Sequence, residues 1–416
     1  MARQRFNFLN NALSKSDFLL AFWYIITFQS GRIKKKSKYQ LAQITGVSPE
    51  QIFFFGAGRM SIYSLLKALS FSEKDEVIVA GYTCVVLTNS VKFAGCQVRY
   101  VDIDPLTLNM NEEILIKSVN DKTKMIIIPH NFGLAFNGIR KIKELYPEVI
   151  LVEDAAHCFG SRDQAGEFCG TISDAGFFSL EFSKPLTTGL GGAMIINNPL
   201  LLERFNKYYS ELPPMSKMNN FRIIVTLGAH RFFYWKKSMF FYSNIFRLLR
   251  VFKLLYVTSN KEISGELPED YPTVMRDSLT CFLWQQLKKI EDINSVKKTI
   301  AERYDEVFSE FRDLHRLDTE NSILVRYPLV FKNNIELTTI VKIRQEAIEQ
   351  GLNLGSWFND VVHPIGSYRY CYDNGMCPVG ESVALRIINL PVNVNYSDLE
   401  IELKDLIALL RKHNIN

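Results

Sequence analysis

The chain has 416 residues, 47% of them hydrophobic and 22% charged, which excludes a disordered or collagen-like protein and leaves room for a large core and two domains. A formal net charge of +5 is too small for this length to mark a nucleic-acid binder, so the basic residues matter as local patches, "RIKKKSK" at 32–38 and a second stretch over 231–253. Seven scattered cysteines with no C-x-x-C pair fit free thiols in a reducing cytoplasm and predict neither a disulfide framework nor a metal site.

In chain order, the first apolar run is "FLLAFWYIITF" (18–28), within an N-terminal arm over 1–37. It follows Lys15 and Asp17, has no small-residue cleavage site after it, and is about half the roughly 20 residues that span a bilayer. From 52 to 200 short β-rich runs alternate with helical segments: strands at 51–55, 75–81, 97–104, 124–130, 149–155, 175–180 and 191–197, with a helix at 59–69. Several of these runs are apolar throughout, as expected of strands covered on both faces, and predict a mostly parallel seven-stranded sheet flanked by helices. The large domain is expected over 38–270, including an aromatic and basic helical insertion at 205–270. A smaller C-terminal α+β domain is expected over 271–416, with one long helix at 277–311, strands at 324–331 and 385–392, and helices near 336–350 and from 397.

Three residue groups carry chemistry. Lys184, in "FSLEFSKPLTTGLGG" (178–192), reads either as a solvated surface charge or as an amine held in a dry cleft, where it loses its charge more easily and can bond a carbonyl carbon. Gly56-Ala57-Gly58-Arg59 reads either as a plain tight turn or as a helix start that presents N–H groups to a phosphate, and Ser61 rules out the dinucleotide fingerprint. Asp154, in "VEDAAHCFG" (152–160), is either a helix cap or a carboxylate held against a protonated ring nitrogen. In an open α/β sheet ligands gather outside the carboxyl ends of the strands, where Gly58, Asp154, Ser179 and Lys184 would converge. A phosphate, a basic ring nitrogen and an aldehyde on one molecule would satisfy all of them, and pyridoxal 5′-phosphate has these groups.

The stretches "DEVIVAGYT", "VDIDPLTLNMN", "TKMIIIPHNFG", "VEDAAHCFGS" and "SDAGFFSLEFSKPLTTGLGG" follow one another as in the DegT/DnrJ/EryC1/StrS family of sugar aminotransferases, which this sequence resembles over roughly 80% of its length, more loosely through "WQQLKKIEDINSVKKTIAERY" and "NLPVNVN". The resemblance implies the fold-type I architecture of pyridoxal-phosphate enzymes. It also implies transfer of an amino group from glutamate to a keto group of a nucleotide-linked sugar, in a homodimer with active sites at its interface. Matched to the family's motifs, Lys184 is the Schiff-base lysine, Asp154 the ring-nitrogen partner and His157 the residue near the phenolic oxygen. Ser179 matches the phosphate serine, and Gly58 and Arg59 fall on the glycine and threonine of the phosphate turn. Three positions depart from the pattern: Cys84 stands where an aromatic commonly covers the ring, leaving Tyr82 to do so, Pro272 falls near a partner-chain asparagine, and Leu190 replaces a glutamate.

Two other readings stay open: a pyridoxal-phosphate enzyme acting on a non-sugar substrate, and a non-catalytic binding protein on the same fold. For the stretch over 231–253 and "FLLAFWYIITF" the alternatives are a lid or dimer surface whose cations meet a nucleotide diphosphate, or a peripheral contact at the inner face of the membrane.

Overall fold

The computed structural model describes residues 12–233, 239–257, 259–352, 354–394 and 396–416. Tyr234, Trp235, Lys236 and Lys237 of the aromatic and basic stretch, and the start of the N-terminal arm, lie outside the described residues.

The strands are β1 (Ile52–Phe55), β2 (Glu76–Ala80), β3 (Thr83–Cys84), β4 (Gln97–Val101), β5 (Thr123–Pro129), β6 (Ile150–Asp154), β7 (Ala175–Ser179), β8 (Gly192–Ile196), β9 (Arg326–Val330), β10 (Val362–His363) and β11 (Ile387–Pro391). Seven of them form one sheet in the order β1-β8-β7-β6-β5-β2-β4. Only β8 runs antiparallel to its neighbours, so the sheet is mostly parallel, as the apolar runs predict. Side chains alternate across it: Val77, Val79, Met125 and Ile127 join one apolar cluster, while Ile78, Ala80, Ile126 and Ile128 join the other. Each such valine, isoleucine or methionine side chain removed from water contributes about 1.5–3 kcal/mol before conformational entropy is counted.

Helices α1 (Lys15–Ile26) and α2 (Ser30–Thr45) precede the sheet, α3 (Gly58–Ala68) follows β1, and α4 (Val85–Ala94) follows β3. The first turn of α3 lies directly on β8, since a Cβ at Gly192 would stand 2.5 Å from the Cα of Gly58. Any side chain at 192 would lift α3 from the sheet and turn its N-terminus away from the strand ends.

The single helix expected over 277–311 is two, Asp277–Leu287 and Ile290–Phe308. The chain turns at Lys289 (φ −130°, ψ 27°) because the two helices serve different cores. Leu279, Leu283 and Leu287 pack under the sheet with the first cluster, and Ile300, Tyr304 and Phe308 pack with β9, β11 and the C-terminal helix in the second. A continuous helix could not face both. Farther along, β10 pairs in parallel with β3, Val362 opposite Thr83 and His363 opposite Cys84, and so carries a C-terminal loop across the sheet's carboxyl edge.

Candidate active site

A cavity of about 350 Å³ opens at that edge. Its walls include Gly58, Arg59, Cys84, Asp154, His157, Ser179 and Lys184 from the sequence reading, together with His130, Glu181, Arg326, Trp357 and His363. Asp154 ends β6 opposite Phe177, and Ser179 ends the adjacent β7 two residues farther on, so parallel pairing brings both strand ends to the same edge. Both α3 and α4 begin at the cavity with no side chain capping them, at Ala57 and Cys84. Two uncapped helix starts supply backbone N–H donors and partial positive charge to an anion there.

The polar groups are tuned by loss of water. Burial lowers the pKa of Lys184, against the opposing pull of Glu181, Cys84 and Asp154, so its amine is neutral more often than an exposed lysine. The ammonium group lies 4.3 Å from the Trp357 ring centre. Burial raises the pKa of Asp154, offset by the Ala156 N–H that donates to Oδ1 at 3.1 Å and by Lys184 and His130. His157 is held well below its ordinary pKa by burial and by nearby cations. The Phe132 N–H donates to its Nδ1 at 3.3 Å, which leaves Nε2 to carry the proton and donate. Trp357 lies against this ring, centres 4.5 Å apart.

Not every expected residue reaches the cavity in the expected way. Tyr82 is fully buried behind the wall, where its hydroxyl donates to the Phe358 carbonyl (3.1 Å) and accepts from the Phe358 N–H (3.3 Å), so it does not take the place left by Cys84. The guanidinium of Arg59 turns from the cavity into a two-pronged bond with Glu262, Nε–Oε1 2.6 Å and Nη2–Oε2 2.5 Å, leaving only its backbone N–H at the helix start. Sequence reading missed Arg326, Trp357 and His363. Arg326 was legible only as part of an apolar strand, and its guanidinium stands 4.0 Å from the Trp357 ring centre with a pKa lowered to about 10 by burial.

Beside the cavity, His130, Cys158 and Cys169 bring their ligand atoms within 4.8 Å of one another, a cluster the cysteine spacing does not reveal. Both ring nitrogens of His130 are engaged, Nε2 with Glu153 (2.9 Å) and Nδ1 with the Phe136 N–H (3.0 Å), so the cluster reads as hydrogen-bonded core.

The fold is that of the fold-type I aminotransferases: the chain superposes on Helicobacter pylori PseC, an aminotransferase involved in the biosynthesis of pseudoaminic acid, with a TM-score of 0.72 at 18% identity over 98% of this chain and 99% of that one. It also superposes on the PMP form of the sugar aminotransferase Spr1654 from Streptococcus pneumoniae, described as putative, with a TM-score of 0.70 at 18% identity over 92% and 91%. The model of the DegT/DnrJ/EryC1/StrS aminotransferase family matches residues 51–223 and 247–404, and the chain belongs to that family. Among curated relatives, GDP-perosamine synthase of Escherichia coli O157:H7 is 34% identical over 149 residues, 35% of this chain and 40% of that protein. The uncharacterized protein MJ1066 of Methanocaldococcus jannaschii is 27% identical over 341 residues, 80% of this chain and 78% of that protein. The chain thus spans less than half of the first of these relatives and most of the second.

The cavity fits pyridoxal 5′-phosphate by its donor set. It pairs uncapped N–H groups and a serine hydroxyl for a phosphate with a half-buried carboxylate for a cationic ring nitrogen, and with an amine whose charge is weakened by loss of water.

Proposed function

We propose that this chain is a pyridoxal-phosphate-dependent aminotransferase that moves an amino group from glutamate to a keto group of a nucleotide-linked sugar, working as a homodimer. The observation that carries the reading is the meeting of Lys184, Asp154 and the uncapped start of α3 in one cavity. When bound, the cofactor supplies an aldehyde carbon that captures amines and a ring that takes up the electron pair released from the substrate carbon.

The protein's part is to hold, orient and move protons. Backbone N–H groups at Gly58 and Arg59 and the Ser179 hydroxyl hold the phosphate, and the glycine contact between α3 and β8 fixes their direction. Asp154 holds its charge against the ring nitrogen, whose proton lowers the cost of burying a carboxylate. The Nε2–H of His157 donates toward the phenolic oxygen. Lys184 Nζ serves as covalent anchor and, when free, accepts a proton at the nitrogen and returns it, a role its weakened basicity suits. On the opposite wall Arg326 offers a guanidinium to the carboxylate or phosphate of an incoming substrate, and Trp357 keeps water from Lys184.

Several relatives are named for amino transfer on nucleotide-linked sugars, among them the dTDP-4-dehydro-2,3,6-trideoxy-D-glucose 4-aminotransferase of Saccharopolyspora spinosa and the UDP-2-acetamido-2-deoxy-3-oxo-D-glucuronate aminotransferase of Pseudomonas aeruginosa. One structural neighbour is instead a dehydratase, the E. coli GDP-4-keto-6-deoxy-D-mannose-3-dehydratase. An amine at position 184 favours transamination. The test is a panel of 3-keto and 4-keto nucleotide sugars with glutamate. An aminosugar from one of them, with a glutamate-dependent change in the cofactor's absorption, supports the reading, whereas a deoxyketosugar product would assign the chain to dehydration.

A further inference from the structure

Between Leu212 and Lys261 the sequence holds nine lysines and arginines and not one aspartate or glutamate. The helices Lys217–Phe233 and Met239–Val251 carry most of this segment. They pack on each other through the His230 and Phe246 rings, 4.7 Å apart, and through the bond from Arg222 Nε to the Lys253 carbonyl at 2.9 Å. On the other side α1 joins the layer. Phe18 meets Phe232 edge-on at 5.4 Å, and Gly228 leaves Phe18 the room to do so, since a Cβ there would stand 3.0 Å from its ring.

Large apolar side chains of this layer stand in water. Trp23, Ile26 and Phe28 do so around the end of α1, and Leu248, Val251 and Phe252 at the end of the second helix, with Phe28 94% and Val251 70% exposed. Exposed apolar groups gathered in this number mark a contact surface. The charges decide what it contacts. A second copy of the same face would set the exposed Arg247, Arg250 and Lys253 against their own kind, whereas a lipid surface bearing phosphodiesters offers negative charge to these cations and hydrocarbon to the ring and branched side chains. No described helix is long and apolar enough to cross a bilayer, so the contact is peripheral.

We infer that the layer formed by α1 and the two helices docks the protein on an anionic phospholipid surface. Two separated apolar clusters on one rigid layer bind more firmly than either alone. The layer also packs on the loop that carries the active-site lysine: the Phe182 ring lies 4.9 Å from His230, and Ile223 abuts Gly189. Docking therefore holds the Lys184 loop one helix layer from the lipid.

The experiment is flotation of the purified full chain with vesicles of phosphatidylcholine alone and with vesicles containing phosphatidylglycerol, at low and high salt. Binding to the anionic vesicles only, weakened by salt, is expected. The double variant Arg247→Glu/Arg250→Glu should lower that binding by about tenfold or more at unchanged circular dichroism, and Trp23→Ser/Phe28→Ser should lower it without changing its salt dependence. Failure to float, equal flotation with neutral vesicles, or binding indifferent to the charge reversal would overturn the inference. A fall in solution mass in the Trp23→Ser/Phe28→Ser variant, in a protein that binds no vesicle, would show instead that the face joins copies of the chain. Vesicle binding does not depend on the reaction, so its failure and a failure of the proposed activity are separate results.

Discussion

The two walls of the cavity are built in different ways. One comes from the sheet edge between residues 52 and 192, where adjacent parallel strands end in Asp154 and Ser179 and a glycine contact aims α3 at the gap between them. The other comes from Ile263, Arg326 and residues 357–364, three segments far apart in sequence, the last of them brought to the edge by the pairing of β10 with β3. The first wall is positioned by backbone geometry, and in the proposed reaction it holds the cofactor. The second gathers around the Trp357 ring, which lies against His157, Lys184 and Arg326, and in the proposed reaction it meets the substrate. Two neighbouring carboxylates show the same contrast. Glu153 receives the N–H groups of Gly170, Ile172 and Ser173 at 2.6–2.8 Å and the His130 ring, whereas the side chain of Asp154, on the cavity, receives one backbone donor. A carboxylate with four partners is structure; one left facing a cavity is available to a ligand.

The largest effect should come from the first wall. Lys184→Ala removes anchor and proton carrier together, and turnover should fall by roughly 10⁴-fold or more, with circular dichroism unchanged. Stopped assays on that variant check it, and turnover near the parent rate would break the comparison. Asp154→Asn keeps the shape and loses the charge. It should lower kcat by about 10²–10³-fold with a modest loss of bound cofactor, and an unchanged kcat would make Asp154 a structural cap.

On the second wall the effect should move from rate to binding. Arg326→Gln should raise KM for the anionic substrate by about 10–100-fold, the worth of one charge-assisted bond, with kcat nearly kept. A collapse of kcat with KM unchanged would place Arg326 among the groups that act on the reacting atoms.

The smallest effect concerns Lys297, buried behind the Lys184 loop, with its ammonium 3.4 Å from the Pro185 carbonyl and its pKa lowered by burial to about 8. Between pH 8 and the ordinary lysine value of 10.5 the unfolded chain holds more protons than the folded one, so stability rises with pH through that window, and the cost of the buried charge is full below pH 8. Lys297→Met should therefore stabilise the protein by about 1–3 kcal/mol at pH 7, and the gain should shrink towards pH 10. Denaturant unfolding at the two pH values measures it; a gain independent of pH would mean that Lys297 titrates normally.

The first wall was legible in the sequence because its residues sit at the ends of apolar strands, where periodicity and position identify them together. Each of the seven strands of the sheet falls within about a residue or two of its expected bounds, apart from the shorter β4. Trp357, Arg326 and His363 were not legible, because no local pattern marks them. Trp357 lies in an irregular loop, His363 ends the two-residue strand that brings this loop to the site, and Arg326 begins a strand whose other residues face the core. Tyr82 was misplaced for a related reason: its neighbours Thr83 and Cys84 do line the cavity, but Tyr82 sits in the bend before β3 and its ring packs against Phe358. The break at Lys289 escaped notice because both helices keep the same period across it.

The central claim is that Lys184 bonds the cofactor. The direct measurement is to load the full chain with pyridoxal 5′-phosphate, confirm absorption at roughly 400–430 nm, reduce with borohydride, digest, and locate the retained cofactor by peptide mass. The adduct is expected on the peptide that carries Lys184, with none in Lys184→Ala. An adduct on Lys297, the other buried lysine beside this loop, or no retained cofactor in the parent protein, would contradict it.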